Sequence, residues 1–401
     1  MKAVICGAGI AGLALAQRLD TLGWTVTVLE QAPAPRAQGY MMDFFGPGYD
    51  AAARMGVLPA IRAYGYQVGE LTYRDDRGRR RASLSYARFA RMVDGQLVSI
   101  MRPDLETVLR EALPDRVEVR YDARLTRIDQ HPDRVEATAA DGTVHRADLL
   151  VGADGIHSTV RRLAFGDEQR YLRHLGFHTA AWTFDDPEVR AAVGDDFALT
   201  DTTNRQLGCY VLRDDRVAVF AVHRTPDPAL SADPQAALRR EYAGLGWIAP
   251  RALAACPPAA DIYYDQVAQI ELPNWSDGRV VLVGDACQAV SLLAGQGASL
   301  AVAGAYLLAE QLARTDDDIT AGLRGYQTLM RPLVAEKQQA ARDGMAWFVP
   351  ESPWRLRARR LALAAARLPG VDRLVASALV GKSSTLPRSQ PATRRQDRTT
   401  R

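Results

Sequence analysis

Lys2-Ala3-Val4-Ile5-Cys6-Gly7-Ala8-Gly9-Ile10-Ala11-Gly12-Leu13 opens the chain, and Thr25-Val26-Thr27-Val28-Leu29-Glu30 follows it. The first five residues are an apolar run of the length of a buried parallel strand. Gly7 permits a tight turn and Gly9 lets the backbone approach a pyrophosphate. Beyond Ala11, Gly12 lets the next helix pack close to the strand. That helix is expected over about Ile10 to Leu22, its N-terminal N–H groups and dipole facing phosphates and Gly23 stopping it. A second strand delivers Glu30, 21 residues beyond Gly9. There a carboxylate accepts adenosine ribose hydroxyls and repels a 2′-phosphate. A signal peptide is the competing reading, with Ala14-Leu15-Ala16 as its cleavage site. Three glycines in six residues make a poor apolar segment for one, and the strand–turn–helix–strand–acid order explains more of the residues.

Two more glycine-centred motifs follow: Gly152-Ala153-Asp154-Gly155, then Gly284-Asp285-Ala286 with Gly295-Gln296-Gly297 behind it. One motif suggests a dinucleotide. Three in this order suggest a single extended FAD, held from its adenine to its isoalloxazine ring. The helix expected after Gly297, from Ala298 to about Arg314, would aim its positive end at the N1/C2=O edge of a reduced flavin. Asp154 and Asp285 have an alternative use as turn or helix-cap residues.

At 401 residues, 47% apolar and 24% charged, the chain has room for two domains with ordinary cores. Its net charge of +3 is uneven: 12 Lys/Arg against Glu351, Asp372 and Asp397 put +9 on the last 51 residues. Such a basic end is read as a solvated helix face and tail, and nothing in the body suggests nucleic-acid recognition. The cysteines (Cys6, Cys209, Cys256, Cys287) form no CxxC pair, which argues against zinc and disulfides and fits a reducing cytoplasm. Six histidines show no metal-ligand spacing, so no metal is expected. Ala289 to Ala309 lacks charge, but glycines, serines and Gln296 interrupt it, so a buried loop and helix are expected there, not a membrane span.

Strand-like runs at 2–6, 25–29, 117–121, 149–151 and 279–283 alternate with helical stretches, the mark of an α/β fold. Segments 68–97 and 171–264 instead alternate like antiparallel strands. They are read as a substrate domain inserted twice into an FAD-binding domain made of 1–67, 98–170 and 265–345. C-terminal helices are expected over 346–381, including a basic amphipathic helix from Arg355 to Leu368. A disordered tail is expected over 382–401.

These motifs resemble the single-component (group A) FAD-dependent monooxygenases related to para-hydroxybenzoate hydroxylase, and within them the tetracycline-inactivating branch. The resemblance runs over roughly residues 2–345. It implies that Arg36, in Arg36-Ala37-Gln38-Gly39-Tyr40-Met41-Met42-Asp43, serves NADPH use and that Asp43 lies on the FAD side. It also implies flavin contact by Arg102 in Met101-Arg102-Pro103-Asp104-Leu105, service to FAD and NAD(P)H by Asp154-Gly155, and ribityl and pyrophosphate contact by Asp285. No second GxGxxG is visible, which fits NAD(P)H visiting transiently.

The implied reaction is hydroxylation or epoxidation of an organic substrate by O₂ through a C4a-hydroperoxyflavin, with the protein supplying orientation and a dry pocket. No catalytic side chain is identified; His178, Tyr210 and His223 lie on the presumed substrate sheet. Phe177, Trp182, Phe184, Tyr210 and Phe220 point to a bulky, partly aromatic or polyketide-like molecule, or form sheet core. The sequence departs from the family at Gln288, where His is usual, and at Ser291-Leu292, where prolines are usual. That departure motivates the alternative of an FAD-dependent reductase without oxygen transfer. A flavin-binding partner protein docking through the basic C-terminal helix is a third reading.

Overall fold

The computed structural model describes residues 1–365, apart from 37, 293–294 and 316–317, together with 385–387. Its centre is a six-stranded sheet in the order Ser276–Asp277, Val280–Leu282, Leu149–Gly152, Lys2–Cys6, Thr25–Leu29, Glu118–Arg120. All neighbours pair parallel except the short first strand. The chain leaves Lys2–Cys6 in one direction towards Glu118–Arg120, then returns on the other side through Leu149–Gly152. Strand order therefore reverses beside Lys2–Cys6, and the crevice at the carboxyl ends of this strand and Leu149–Gly152 is where such sheets bind ligands.

Helices Ile10–Thr21 and Gly297–Arg314 begin beside this crevice and pack on each other. The opening helix ends one residue earlier than expected, with Gly23 at φ 84°. The strands bury apolar side chains on both faces, as in Val280–Leu282, because helices cover the sheet.

A second, seven-stranded sheet runs Tyr263–Ile270, Leu172–Phe184, Val217–Arg224, Arg205–Val211, Phe197–Thr200, Glu70–Arg74, Arg80–Ser85. It unites strands from both segments read as insertions. The expected antiparallel order is broken once, where Phe197–Thr200 pairs parallel with Glu70–Arg74. These two strands come from different segments of the chain, so no tight hairpin imposes opposite directions on them. Helices Pro234–Tyr242 and Ala249–Ala254 cover one face of the sheet. The other face looks towards a two-stranded ribbon, Met41–Phe45 against Leu97–Met101. The fold is thus α/β and Rossmann-like, with an inserted, largely antiparallel sheet and C-terminal helices.

The C-terminal helix Pro353–Ala365 does not project as a docking arm. Leu363 is buried against Tyr73 and Leu199 of the seven-stranded sheet. Arg359 and Arg360 reach the buried carboxylate of Asp201 at 2.8 and 2.5 Å, and Arg359 lies 4.2 Å from the centre of the Tyr73 ring. The expected end of this helix at Leu368 lies outside the described residues. Within the 382–401 segment read as a tail, Leu386 is buried and its N–H donates to Asp50 at 3.1 Å.

Because Asp201 neutralises two arginines, one of them buried, Asp201→Ala leaves both charges without their partner. A loss of about 3–5 kcal/mol is expected from denaturant unfolding. An unchanged midpoint would show that the helix is not held by these pairs.

Candidate functional site

Gly7 sits at φ 109°, and a Cβ on it would come within 2.4 Å of the Ala153 carbonyl oxygen. One on Gly12 would stand 1.9 Å from the carbonyl oxygen of Gly7. The first motif therefore packs backbone to backbone against both the second motif and its own helix, which no side chain permits. The helix Ile10–Thr21 has no side-chain cap, so its first N–H groups remain available to an anion. Glu30 accepts N–H bonds from Ala8 and Ala32, both at 2.8 Å. Two such bonds hold the carboxylate at the strand end and leave acceptor capacity on each oxygen for ribose hydroxyls.

Over Gly9 lies an ion pair. Arg102 and Glu106, one helical turn apart, meet at 2.7 Å, and Glu106 Oε1 would stand 3.5 Å from a Cβ on Gly9. Burial raises the Glu106 pKa, opposed chiefly by Arg102. Burial is the strongest single influence on Arg102 and works against its charge, but Glu106, Tyr40, Tyr263 and Asp285 together outweigh it and the Arg102 pKa is raised. The Tyr40 and Tyr263 rings lie 5.4 Å apart. Asp285 is exposed, yet surrounding protein desolvates its carboxyl and raises its pKa, with Arg102 opposing. A carboxyl both accessible and enclosed lines a hollow, not a convex surface. Gly297 faces the same hollow, since a Cβ there would lie 3.8 Å from Asp285 Oδ1. The helix it begins has no side-chain cap.

The hollow thus runs from Gly9 and Glu30 past Arg102 to Asp285 and Gly297. Its charges and bare helix ends fit an elongated diphosphate-bearing cofactor such as FAD. Arg36 is exposed at its edge, where its charge acts on Glu106. Gly295 and buried Gln296 precede the helix end. Glu106 and Tyr263 escape the sequence motifs, whereas Tyr40 lies inside the Arg36 to Asp43 stretch. Only the four-residue spacing of Glu106 from Arg102 on one helix could have signalled its part.

Asp154 braces the start of helix Thr159–Phe165, whose cap is Ser158: it accepts from Ser158 Oγ and, at 3.0 Å, from the N–H of Val160. Gly155, at φ 79°, forms the turn beside it. Buried Arg161 joins the second and third motifs, donating to the carbonyls of Ile156 and Ala286 and to Glu168. Asp43 belongs to a different group. It accepts from Ser99 at 2.7 Å on the ribbon face turned to the seven-stranded sheet, while Met42 and Phe44 on the opposite face join the main core. Gln288 points into the core, donating to Tyr326 at 2.7 Å and accepting from the Gly284 N–H at 3.2 Å. In place of the usual histidine, it braces the strand end behind the hollow.

Strand parity divides the aromatics. Trp182 and Phe184 lie in the core under helices Pro234–Tyr242 and Ala249–Ala254. Phe177 and Phe220 face the other way, with Tyr40 and Leu292 packed near them, and Tyr210 donates to Met101 Sδ of the ribbon. His178 and His223 sit opposite each other on the helix-covered side, bonded to Tyr264 and Tyr242. Burial lowers both pKa values, that of His223 to about 4. Of the three polar candidates on the sheet, Tyr210 alone faces the ribbon.

The residues matching a family model described as an FAD binding domain are 1–334. The chain belongs to this FAD-binding family. A flavin-dependent monooxygenase from an unidentified prokaryote is 30% identical, over 84% of this chain and 87% of that protein. An uncharacterized protein of Mycobacterium tuberculosis is 32% identical, covering 86% and 94% of the two chains. Among solved structures, tetracycline destructase Tet(55) superposes with a TM-score of 0.81 at 26% identity, covering 97% of this chain and 98% of that one. The protein is an FAD-dependent oxidoreductase of the flavin monooxygenase family. No described helix is long and apolar enough to cross a membrane, and no described group of His, Cys, Asp or Glu could hold a metal.

His157 clasps the flavin-domain loop to the second sheet, lying 2.9 Å from Glu168 and 3.3 Å from Asp265. The bond to Asp265 raises its pKa to about 9, and Glu168 adds to this against the opposing effect of burial. A folded pKa above the unfolded value of about 6.5 means that the stability from this clasp is complete below pH 6.5. It is lost as pH rises through about 9. Denaturant midpoints of His157→Gln should therefore fall below wild type at pH 6 and converge with it at pH 10. A constant gap across that range would remove the clasp.

Proposed function

We propose that the protein is an NAD(P)H-consuming FAD monooxygenase that hydroxylates or epoxidises a bulky, partly aromatic or polyketide-like small molecule. The observation that carries this reading is the position of one aromatic sheet face. Phe220 and Tyr263 stand against Tyr40, which lies beside Arg102, and Leu292 packs on the same cluster. Such a wall supplies apolar contact to a large planar ligand and excludes water from it. The likeness to a tetracycline destructase supports a polycyclic substrate.

Residues 7, 9, 11 and 12 are assigned to the pyrophosphate cradle and Glu30 to the ribose hydroxyls. Arg102 and Asp285 are assigned to the ribityl and phosphate region, with Asp154 shaping the loop that carries Gly155. The N–H groups of 295–297 are assigned to the flavin ring edge. When bound there, FAD supplies the transfer of electrons from NAD(P)H and of one oxygen atom from O₂. The protein contributes orientation, a dry wall and the fixed charges of Arg102, Glu106 and Asp285. Exposed Arg36 is assigned to docking NAD(P)H at the mouth. Four buried, unpaired cysteines support a reducing cytoplasmic setting.

The reductase alternative rests on Ser291-Leu292. Leu292 packs with the Phe220 group, so the loop keeps an apolar side towards the substrate space and oxygen transfer remains the better-supported reading.

Asp285→Ala should give folded protein that purifies largely without FAD, read from the flavin absorbance; full occupancy would overturn the cofactor assignment. Arg36→Ala should retain FAD but slow its reduction by NAD(P)H in stopped flow by about tenfold, the effect of losing about 1.4 kcal/mol of docking. An unchanged rate would free Arg36 of that role.

A further inference from the structure

Trp354 and Leu361 are the two most exposed large apolar side chains among the described residues, at 65% and 72%. Both lie on the C-terminal helix Pro353–Ala365, seven residues apart, with exposed Ala358 between them. At 3.6 residues per turn that spacing sets all three on one side. The opposite side holds Leu356, Arg359 and Leu363, buried against the protein. The helix is therefore apolar on two sides, and only the inner one is covered. A scattered exposed apolar side chain needs no explanation, whereas large ones aligned on one helix read as a contact surface.

The rim of this stripe is positive. The helix carries four arginines and no acid. Arg359 and Arg360 are held by Asp201. Arg355 pairs with Glu351 at 3.0 Å and lies 5.4 Å from the centre of the Trp354 ring. Arg357, exposed on the other side of the stripe, pairs with no acid among the described residues. Acids of the adjoining strands are engaged elsewhere, Glu70 by Arg80 and Asp75 by Arg81. Beyond the helix, 8 Lys/Arg against Asp372 and Asp397 put a further +6 on residues 366–401.

We propose that this outer face docks the protein on an anionic lipid bilayer. Trp354 and Leu361 enter the headgroup boundary, where an indole keeps its N–H among polar groups and its body in apolar surroundings. Arg355 and Arg357 meet lipid phosphates from either side of the stripe. The charge beyond the helix adds attraction to the anionic surface. A bilayer fits better than a protein partner because the stripe is three side chains long, far short of the ~800 Å² per partner in a stable protein interface. It offers both things the face calls for, an apolar layer and continuous negative charge above it. The helix is also firmly joined to the body. Just ahead of it, the carbonyls of Phe348, Val349 and Pro350 accept from Arg359, Arg224 and the Asn204 N–H at 2.9, 3.1 and 2.9 Å. Phe348 lies against Phe220 of the aromatic wall, ring centres 6.4 Å apart, so one segment carries the docking helix and touches that wall.

The test uses the full FAD-loaded chain and vesicles of phosphatidylcholine, with and without about one third phosphatidylglycerol. Binding is read by co-sedimentation across a salt series. Wild type should bind the anionic vesicles, leave the neutral ones largely alone, and be released as salt rises. Trp354→Ser combined with Leu361→Ser should weaken binding to anionic vesicles by about tenfold or more, and Arg357→Glu by about tenfold. All three positions are exposed, so flavin content and thermal midpoint should match wild type. Brominated lipid should quench part of the wild-type tryptophan fluorescence but not that of Trp354→Phe, since Trp354 alone of the six tryptophans is exposed. Wild type that does not bind anionic vesicles overturns the proposal. So does binding or quenching that the variants leave unchanged, which would assign it to the basic end without the helix. A wild-type dimer in sedimentation velocity that the Trp354→Ser, Leu361→Ser variant converts to monomer, with no vesicle binding, overturns it in favour of a second copy on this face.

Discussion

Two backbone-against-backbone approaches at the reversal of strand order hold the rest of the structure in place. The Gly7 turn lies against Ala153, and Gly12 lies against Gly7 itself. Both contacts exist only because these residues lack Cβ. They bring the opening helix down on the sheet and hold the first and second motifs together. Arg161 then joins the second motif to the third through the Ala286 carbonyl, at 2.9 Å. Segments some 280 residues apart in sequence thereby line one hollow, and the two bare helix ends face into it because the sheet fixes where those helices begin.

Electrostatics completes what packing begins. Arg102 stands between two acids, Glu106 beneath it and Asp285 beyond it, and each raises its pKa. A cation held by flexible surface pairs would be weakly placed. This one lies on a helix whose first residue is anchored through the Tyr40 carbonyl, so its direction is set by backbone. The seven-stranded sheet adds the opposite character. Its near face is aromatic and apolar, its far face is buried under helices, and parity along each strand decides which side chain serves which role.

The parts legible in the sequence were those with short-range rules. The strands Lys2–Cys6 and Thr25–Leu29 matched their apolar runs, and the helix Gly297–Arg314 began one residue before its expected start. The long strand Leu172–Phe184 lies in a segment that reads as antiparallel, but its bounds are hidden because histidines and a glycine break its alternation, with a register shift between His174 and His178. The three-stranded sheet of Leu125–Gln130, Val135–Ala139 and Val144–Ala147 was hidden by its charged outer positions. Within the site, motif residues could be named because glycines and acids at fixed spacing are visible along the chain. Tyr263 and the Ser99 partner of Asp43 could not. Ser99 meets Asp43 only when distant strands pair into the ribbon, and Tyr263 meets Tyr40 only when the second sheet packs against it, and no local spacing records either meeting. The faces of His178 and Tyr210 were likewise undecidable until strand register assigned them to opposite sides.

The central claim is that the enclosed hollow and its aromatic wall transfer an oxygen atom from O₂ to an organic molecule. Mass spectrometry of product formed under isotopically heavy dioxygen, with NADPH and an accepted polycyclic phenol, measures this directly. The account predicts one heavy oxygen atom per product molecule and the other in water. No heavy oxygen in the organic molecule, with one hydrogen peroxide formed for every NADPH oxidised, would contradict it.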